Sequence, residues 1–291
     1  MTVRPIELPA DAGAVEELAD RLQGSSGLGT LSESKWMGVR KGTVGGFLAE
    51  AEGRAVGYSA VVRTATPGEG AMEVLLDAPR EILRPLIEAV IVDARRSGIS
   101  ALRWWVYGQD ATPIPAEFDF EPERKLLQMA RSLPTDEDPH FPPEIEIAAF
   151  RPGVDDDLWL QANNAAFAGH PENGGLTRTD LADRLGADWF SADGFRMAWA
   201  GGASGGDLAG FCWTKIHRSG EGEIYIIAVA PGHWGGGLGR QLVLEGMRHL
   251  TAQRCDRVFL YSEADNVRGV ALYRRLGFQV QETHQSFRLV L

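Results

Sequence analysis

The residues best suited to chemistry surround a glycine-rich turn, Trp234 to Arg240. An apolar, β-branched run ends at Val229 and an apolar-periodic segment follows the turn, so the pattern predicts strand, turn and helix. Such a turn aims backbone N–H groups and a helix N-terminus at one point, which suits an anionic phosphate. Glycine has no Cβ to hold a ligand away from the backbone. The turn is therefore predicted to bind phosphate, with a flexible surface turn as the alternative.

The spacing of the glycines separates the possible phosphate ligands. The P-loop and the dinucleotide fingerprint both fail, because no Lys-Ser/Thr pair follows and the G-x-G-x-x-G spacing is absent. Gly237 and Gly239 instead fit x-x-x-G-x-G after a strand. This resembles the acetyl-CoA loop of the GNAT N-acetyltransferase superfamily, Q/R-x-x-G-x-G/A, whose N–H groups hold the CoA pyrophosphate. The chain departs from that pattern at Trp234, where Gln or Arg is usual, and at Gly235 and Gly236, where basic residues are frequent.

Two side chains near the turn in sequence have acid–base chemistry. Glu223 starts the strand before the turn, where a carboxylate can act as a general base toward an amine; the alternative is a water-facing charge at a sheet edge. Tyr273 lies in a segment, Asn266 to Phe278, that resembles the late GNAT signature N-x-x-A-x-x-x-Y-x-x-x-G-F. Asn266 is predicted to cap this helix and Gly277 to end it. A tyrosine of pKa about 10 can protonate a thiolate of pKa about 8.5 at a cost of roughly 2 kcal/mol; the alternative is a core tyrosine.

A closer resemblance is to the mycothiol synthases, tandem GNAT enzymes that acetylate the cysteine amine of a cysteinyl-glucosaminyl-inositol. It covers residues 145–291 and rests on three further segments, 163–175, 210–217 and 260–266. Over the first half it is weaker, being limited to domain layout and the pair Gln128-Met129.

This resemblance implies a role for individual residues. Glu223 would be the catalytic base and touch the acceptor, and Tyr273 would be the general acid. The other acceptor contacts would be Glu33, Glu172, Lys215 and Tyr261. The acetyl-CoA contacts would be Ile227, Ala228, Val229, Trp234, Gly235, Gly236, Gly237, Leu238, Gly239, Arg240, Asn266, Val267, Arg268, Gly269, Val270 and Ala271. His170 and His217 match no catalytic position of the family and are interpreted as structural or surface histidines.

The two halves of the chain look like copies of one unit. Gly68 corresponds to Gly220 and Pro79 to Pro231, in both cases 152 residues apart. Each half has the order helix, paired strands, strand ending before proline, helix, strand, helix, strand. That order predicts an α/β fold (α+β in detail) of two tandem GNAT-type domains, each a mixed sheet flanked by helices.

The first copy lacks the chemistry of the second. Pro85 stands where the offset places the partner of Gly237, and Ala71 stands where it places the partner of Glu223. We therefore predict an N-terminal GNAT-like domain (1–131) with a degenerate CoA loop and no catalysis. A linker rich in proline and acids (132–144) and a C-terminal catalytic domain (145–291) follow.

The composition of the chain limits the kinds of partner and ligand that we expect. The net charge of -11 argues against nucleic acid. The two cysteines, Cys212 and Cys255, lie in no metal-binding pattern. No signal peptide or apolar run of about 18 residues is present. We expect a cytoplasmic monomer with a small-molecule substrate, acetyl-CoA as co-substrate, no metal and no membrane contact.

Two alternatives remain open at this point. One is a GNAT enzyme that acetylates another small amine, such as an amino sugar, or a peptide N-terminus. The other is a non-catalytic acyl-CoA-binding protein, which the degenerate first half would suit. The glycine-rich turn also predicts a weak affinity for CoA, because backbone N–H groups would hold the pyrophosphate with little help beyond Arg240.

Overall fold

The computed structural model describes residues 2–22, 28–64, 66–107, 113–170, 173–203 and 205–291, without the side chains of residues 33 and 34. The chain forms two compact units. The first contains Met1–Leu127, Glu263–Asp265 and Glu282–Leu291, and the second contains Gln128–Ser262 and Asn266–Gln281. Segments of the two units alternate along the chain, whereas the predicted linker at 132–144 would place all of residues 145–291 in one domain. The predicted division into a non-catalytic and a catalytic domain concerns function, and it stays a prediction.

The helices and strands follow the predicted order in the second half and most of it in the first. The described helices are α1 (Ala12–Arg21), α2 (Glu33–Lys41), α3 (Leu83–Arg96), α4 (Asp156–Ala166), α5 (Arg178–Leu185), α6 (Leu238–Ala252) and α7 (Val267–Arg275). The described strands are β1 (Thr2–Pro5), β2 (Gly45–Ala51), β3 (Arg54–Arg63), β4 (Glu69–Leu76), β5 (Ala101–Val106), β6 (Glu121–Ser132), β7 (Ile145–Ala149), β8 (Phe195–Ala200), β9 (Asp207–Ile216), β10 (Gly222–Val229), β11 (Arg257–Glu263) and β12 (Gln279–Val290).

Each unit is built on a mixed sheet. In the first unit the strand order is β1-β2-β3-β4-β5-β12, and β4–β5 is parallel among antiparallel neighbours. In the second unit the order is β6-β11-β10-β9-β8-β7, and β10–β11 is parallel. The antiparallel strands β7, β8, β9 and β10 follow one another as a meander. These mixed sheets agree with the predicted fold class.

Apolar side chains fill a separate core in each unit. In the first unit, α3 contributes Leu86 and Val90, which join Trp104 and Phe287. In the second unit, aromatic rings dominate, and Phe195 stacks on Trp213 with ring centroids 4.3 Å apart. Within the described residues, no helix has both the length and the apolar character needed to cross a membrane.

Most of the predicted elements are present, and the differences have local causes. The predicted opening helices are α1 and α4, and the predicted paired strands are β2–β3 and β8–β9. The short strands β1 and β7 were not predicted, because four- and five-residue segments carry little periodicity. The predicted second helix of the first half is wrong for the described residues, where only a 3-10 turn, Pro115–Phe118, follows β5.

The sheets preserve the internal repeat in three dimensions. Parallel pairing between β4 and β5 is recorded as far as Met72, and that between β10 and β11 as far as Ile224. These two residues are 152 positions apart, the same offset that relates the two sequences. The copies therefore share the point at which their two central strands separate.

Candidate active site

The opening between β10 and β11 has a clear structural origin. Their parallel register covers Gly222 to Ile224, whereas β10 stays paired with β9 as far as Val229. A register shift between Ile224 and Ile226 marks a β-bulge, and a bulge bends its strand. Beyond Ile224 the register gives no pair between the described residues of β10 and β11, so we expect this side of β10 to offer backbone N–H groups to a ligand. The predicted acetyl-CoA contacts from Ile227 onward lie along this part of the strand.

The glycine turn forms the predicted entrance to a helix. After a 3-10 turn, Gly235 has φ 91° and Gly237 has φ 78°, the left-handed region that favours glycine. Gly237 is the N-cap of the 15-residue helix α6. A Cβ built on Gly235, Gly236 or Gly237 meets no protein atom within 4 Å. The turn therefore leaves room beside the positive end of the helix dipole, as a bound phosphate requires.

Three predicted acetyl-CoA segments converge on Gly239. A Cβ built there would lie 3.5 Å from Val229 Cγ2, at the end of β10, and 3.8 Å from Leu272 Cδ2 on α7. The strand end, the glycine turn and the helix that carries Tyr273 thus lie next to one another, within reach of a single added methyl group at Gly239. Segments that are distant in sequence form one continuous surface in the second unit.

The two polar side chains of the turn are already engaged. Trp234 is 62% exposed, and its Nε1–H donates to the Val229 carbonyl at 2.8 Å. The Arg240 guanidinium pairs with the Glu137 carboxylate. The sequence-based expectation that Arg240 helps to hold the pyrophosphate therefore requires this ion pair to open or to rearrange.

Glu223 is buried within the sheet, with only 7% of the residue exposed. It lies on β10 between two paired strands, opposite Lys215 of β9 and Phe259 of β11. Its Oε2 lies 2.7 Å from Nε2 of His217. The alternative of a water-facing charge at a sheet edge is therefore wrong. His217, which the sequence indicated as structural or surface, contacts the predicted base.

The proposed acceptor contacts lie on the strands beside Glu223. Lys215 is buried, and its Nζ lies 4.7 Å from the ring centroid of Trp189 and 5.5 Å from that of Tyr225. Tyr261 on β11 is 40% exposed, and its hydroxyl accepts a hydrogen bond from Gln128 Nε2 at 3.0 Å.

Two further predicted contacts cannot be placed. Glu33 is the first residue of α2, but its side chain lies outside the described part of the chain. Glu172 also lies outside the described residues.

His170, interpreted from the sequence as a structural or surface histidine, accepts a hydrogen bond from the Asn173 N–H at 3.2 Å and packs edge-on against Phe167.

Helix α7 begins and ends as predicted. Asn266 is its N-cap, and Asn266 Oδ1 accepts the Gly269 N–H at 3.0 Å. A Cβ on Gly269 would lie 2.4 Å from Asn266 Nδ2, so glycine lets the cap close over the first turn. After the C-cap, Gly277 has φ 84°, as a helix-ending glycine should.

Tyr273 is nearly inaccessible, at 8% exposure. Burial, helped by the nearby Cys212, raises the pKa of its hydroxyl to about 12. The ring packs against Phe278 with centroids 6.1 Å apart. Tyr273 therefore keeps its proton throughout the physiological range. No group of three His, Cys, Asp or Glu in the described chain is arranged to hold a metal ion.

The sequence resembles known acetyltransferases over nearly all of its length. The Acetyltransferase (GNAT) family matches residues 159–278. A mycothiol acetyltransferase from Catenulispora acidiphila is 34% identical, over 98% of this chain and 97% of its own. The chain belongs to the mycothiol acetyltransferase family. The family member from Tsukamurella paurometabola is 37% identical, over 96% of both chains.

Solved structures share the fold of this member of the mycothiol acetyltransferase family. A tandem GNAT protein from the clavulanic acid biosynthesis pathway has a TM-score of 0.76 and 16% identity, over 99% of this chain and 98% of its own. A GCN5-related N-acetyltransferase from Sphaerobacter thermophilus has a TM-score of 0.73 and 18% identity, over 99% and 95%. At these identities the likeness shows the fold alone. It confirms the prediction of an α/β protein with tandem GNAT-type domains.

Proposed function

We propose that this chain transfers the acetyl group of acetyl-CoA to the cysteine amine of a cysteinyl-glucosaminyl-inositol, the last step of mycothiol synthesis. The observation that carries the proposal is the 34% identity to a mycothiol acetyltransferase over 98% of the chain. We place the reaction in the cytoplasm, because acetyl-CoA is an intracellular metabolite. We also propose that the chain acts as a monomer.

Acetyl-CoA fits the second unit as the phosphate-bearing substrate. We place its pyrophosphate at the glycine turn, where the N–H groups of Leu238 and Gly239 precede the first bonded turn of α6. We place its thioester beside the free side of β10 near Val229, where a backbone N–H can stabilise the oxyanion that forms during attack. Asn266 to Ala271 on α7 complete the proposed contact.

The proposed acceptor site is polar and carries charges of both signs. Glu223 offers a carboxylate to the acceptor ammonium, while Lys215 and Tyr261 offer donors to its hydroxyl groups. Glu172 would add a further carboxylate, and the acceptor contact expected of Glu33 stays a prediction. A pseudodisaccharide with many hydroxyl groups and one ammonium suits such a set, since each of its polar groups needs a partner once water is excluded.

The proton balance assigns a role to Glu223. The acceptor begins as an ammonium with three N–H bonds, because an α-amino group has a pKa of about 8. It ends as an amide with one. Glu223 takes the first proton, and this frees the lone pair of the nitrogen. The lone pair forms the C–N bond with the thioester carbon, and the C–S bond breaks. That proton finally leaves for solvent.

Tyr273 accounts for the second proton. It protonates the departing CoA sulfur, and the tyrosinate recovers a proton from the nitrogen as the amide forms. With a pKa raised to about 12, this donation costs roughly 5 kcal/mol in isolation. The cost exceeds the roughly 2 kcal/mol obtained from ordinary pKa values. Donation must therefore accompany the breaking of the C–S bond rather than follow it.

We propose that the first unit does not catalyse acetyl transfer. Glu73 follows the last parallel pair of β4, at Met72. It is 1% exposed, its Oε1 accepts Lys35 Nζ at 2.9 Å, and it also accepts the Tyr107 hydroxyl at 2.9 Å. A buried ion pair thus follows the point where β4 and β5 separate, which corresponds to the point where β10 and β11 separate in the second unit. Pro85, the counterpart of Gly237, lies within α3. Calorimetric titration with acetyl-CoA should give one site per chain, and two sites would contradict this proposal.

One assay tests the proposed activity. The protein is incubated with acetyl-CoA and a panel of amines, and the free thiol of CoA is measured. The acceptor's own thiol is blocked by alkylation so that only CoA is counted. Release with the cysteinyl pseudodisaccharide alone supports the proposal. Equal release with amino sugars or peptide N-termini supports a broader acetyltransferase, and binding of CoA without any release supports a non-catalytic protein.

A further inference from the structure

His217 lies at the edge of the proposed acceptor site, one residue beyond the end of β9. Its backbone N–H donates to the Glu221 carbonyl at 2.9 Å, which continues the pairing of β9 with β10. Its side chain points to the same face as Glu223, because Nε2 lies 2.7 Å from Glu223 Oε2. The imidazole also packs against the Phe259 ring, with centroids 5.1 Å apart.

These contacts hold one oxygen of the carboxylate in place. Strand pairing fixes the backbone of His217, and the contact with Phe259 restricts its ring. A carboxylate bound through Oε2 leaves Oε1 as the oxygen that can receive a proton from the acceptor. The side chain of Glu223 is 9% exposed and that of His217 is 33% exposed, so the imidazole lies on the solvent side of the pair.

We propose that His217 is a positioning residue for the catalytic base, holding Oε2 of Glu223 so that Oε1 faces the acceptor ammonium. The inference rests on the proposed function, in which Glu223 is that base. His217 does not touch the reacting atoms. It acts by keeping the carboxylate in one orientation and by changing the charge beside it.

Other polar groups lie on the neighbouring strands and at the turn before β10. They are Lys215 opposite Glu223 on β9, Tyr261 on β11, and Glu221, which pairs with Arg257. None of these changes in the variants below, so a changed rate reports on His217 and Glu223.

The test compares two substitutions that differ in one property. His217→Gln keeps an amide N–H near the position of Nε2 but cannot titrate, and His217→Ala removes the donor. We expect kcat to fall roughly 10- to 100-fold in His217→Ala, with the Kd for acetyl-CoA unchanged. His217→Gln should keep kcat within about threefold of wild type, because its amide can still donate to Oε2 of Glu223.

A matched control and a third variant make the result decisive. His284→Gln removes another histidine bound to a glutamate, His284 to Glu282 at 3.1 Å in the first unit, and should leave kcat unchanged. In a Glu223→Gln background, His217→Ala should have no further effect. The proposal is overturned if His217→Ala stays within twofold of wild type, if His217→Gln loses as much activity as His217→Ala, or if the effects remain additive.

Failure of the proposed function gives a different result. In that case wild type itself releases no CoA with the cysteinyl pseudodisaccharide. The positioning contact is then tested by the urea midpoints of the single and double variants at positions 217 and 223. Coupled midpoints support the contact between His217 and Glu223, and additive midpoints overturn it.

Discussion

At the scale of single residues, Glu223 and Tyr273 are two buried acidic side chains with different surroundings. Glu223 has a histidine at 2.7 Å and is paired by register with a lysine, so its surroundings are polar. Tyr273 packs against the Phe278 ring, and burial raises its pKa to about 12. The proposed base and the proposed acid therefore have different environments, as acid–base catalysis would require.

Substitution of these two residues should give different kinetic results. Glu223→Gln should lower kcat/KM at neutral pH by roughly 100-fold or more, because no base remains for the ammonium. Tyr273→Phe should lower kcat by roughly 100-fold with the Kd for acetyl-CoA nearly unchanged, because the phenyl ring still fills the buried site. Steady-state kinetics and calorimetry measure both effects. Near wild-type rates for both variants at saturating substrate would refute the assignment.

The structural role of a single residue can be predicted from the sequence where the residue belongs to a known motif. Asn266 and Gly277 bound α7 as predicted, because cap residues act through local backbone geometry. The partners of Arg240 and Glu223 could not be predicted. Glu137 is 103 positions from Arg240, so that contact depends on tertiary structure. His217 is 6 positions from Glu223, and the contact depends on how β9 and β10 pair as a hairpin. Neither contact belongs to a motif, so a motif carries no signal for it.

At the scale of elements, the glycine turn before α6 contains one position that should accept a side chain and one that should not. Gly236 has a φ outside the left-handed region and open space around its Cβ, whereas Gly237 has φ 78°. Gly236→Arg should tighten acetyl-CoA binding by roughly three- to tenfold, because a guanidinium adds charge-assisted hydrogen bonds to phosphate. Gly237→Arg adds the same charge but strains the backbone, and should lose stability instead. Calorimetry at two salt concentrations measures the gain, and an unchanged Kd for Gly236→Arg would contradict the phosphate site.

The ion pair between Glu137 and Arg240 gives a second test on the same helix. Glu137→Gln releases the Arg240 guanidinium, and we expect acetyl-CoA to bind a few-fold more tightly at low salt. Stability should change by less than about 1 kcal/mol, because both side chains are partly exposed. Asp136→Asn alters the same segment without touching this pair and serves as the control. Equal Kd values for all three proteins would mean that Arg240 does not meet the phosphates.

At the scale of the whole molecule, stability should fall in two stages on acidification. Burial, followed by the charge of Arg196, lowers the pKa of His249, and burial lowers that of His284. The unfolded chain then binds more protons, so stability declines once pH falls below the ordinary histidine value of 6.5. Below the ordinary carboxyl value of 4.5 a second decline follows, because hydrogen bonds from Arg103 hold the pKa of Glu123 down.

Urea unfolding between pH 8 and pH 3 measures both stages. His249→Gln cannot gain a proton and should flatten the curve below about pH 6.5 while leaving the acid stage intact. A wild-type free energy of unfolding that stays constant between pH 7 and pH 5 would show that neither histidine is buried in its neutral form.

The C-terminal strand shows why the boundaries of the two compact units do not follow from the linker alone. Proline and acidic residues mark 132–144, but residues 282–291 belong to the first unit. There, β12 pairs with β5 from Gln285↔Val106 to Val290↔Ala101. A repeat in sequence indicates two similar units, but it carries no information about which unit the last strand joins.

The same strand supports a prediction about folding of the whole chain. Phe287 is 3% exposed and lies in the core with Trp104, so Phe287→Ala should cost about 3–5 kcal/mol of stability in the first unit. Val280, on the same strand and 39% exposed, is the matched control, and Val280→Ala should cost less than about 1 kcal/mol. Deletion of residues 282–291 should be still more damaging, since it leaves β5 without its antiparallel partner. Urea unfolding measures each variant, and equal midpoints for the two alanine variants would show that the C-terminal strand does not complete the first core.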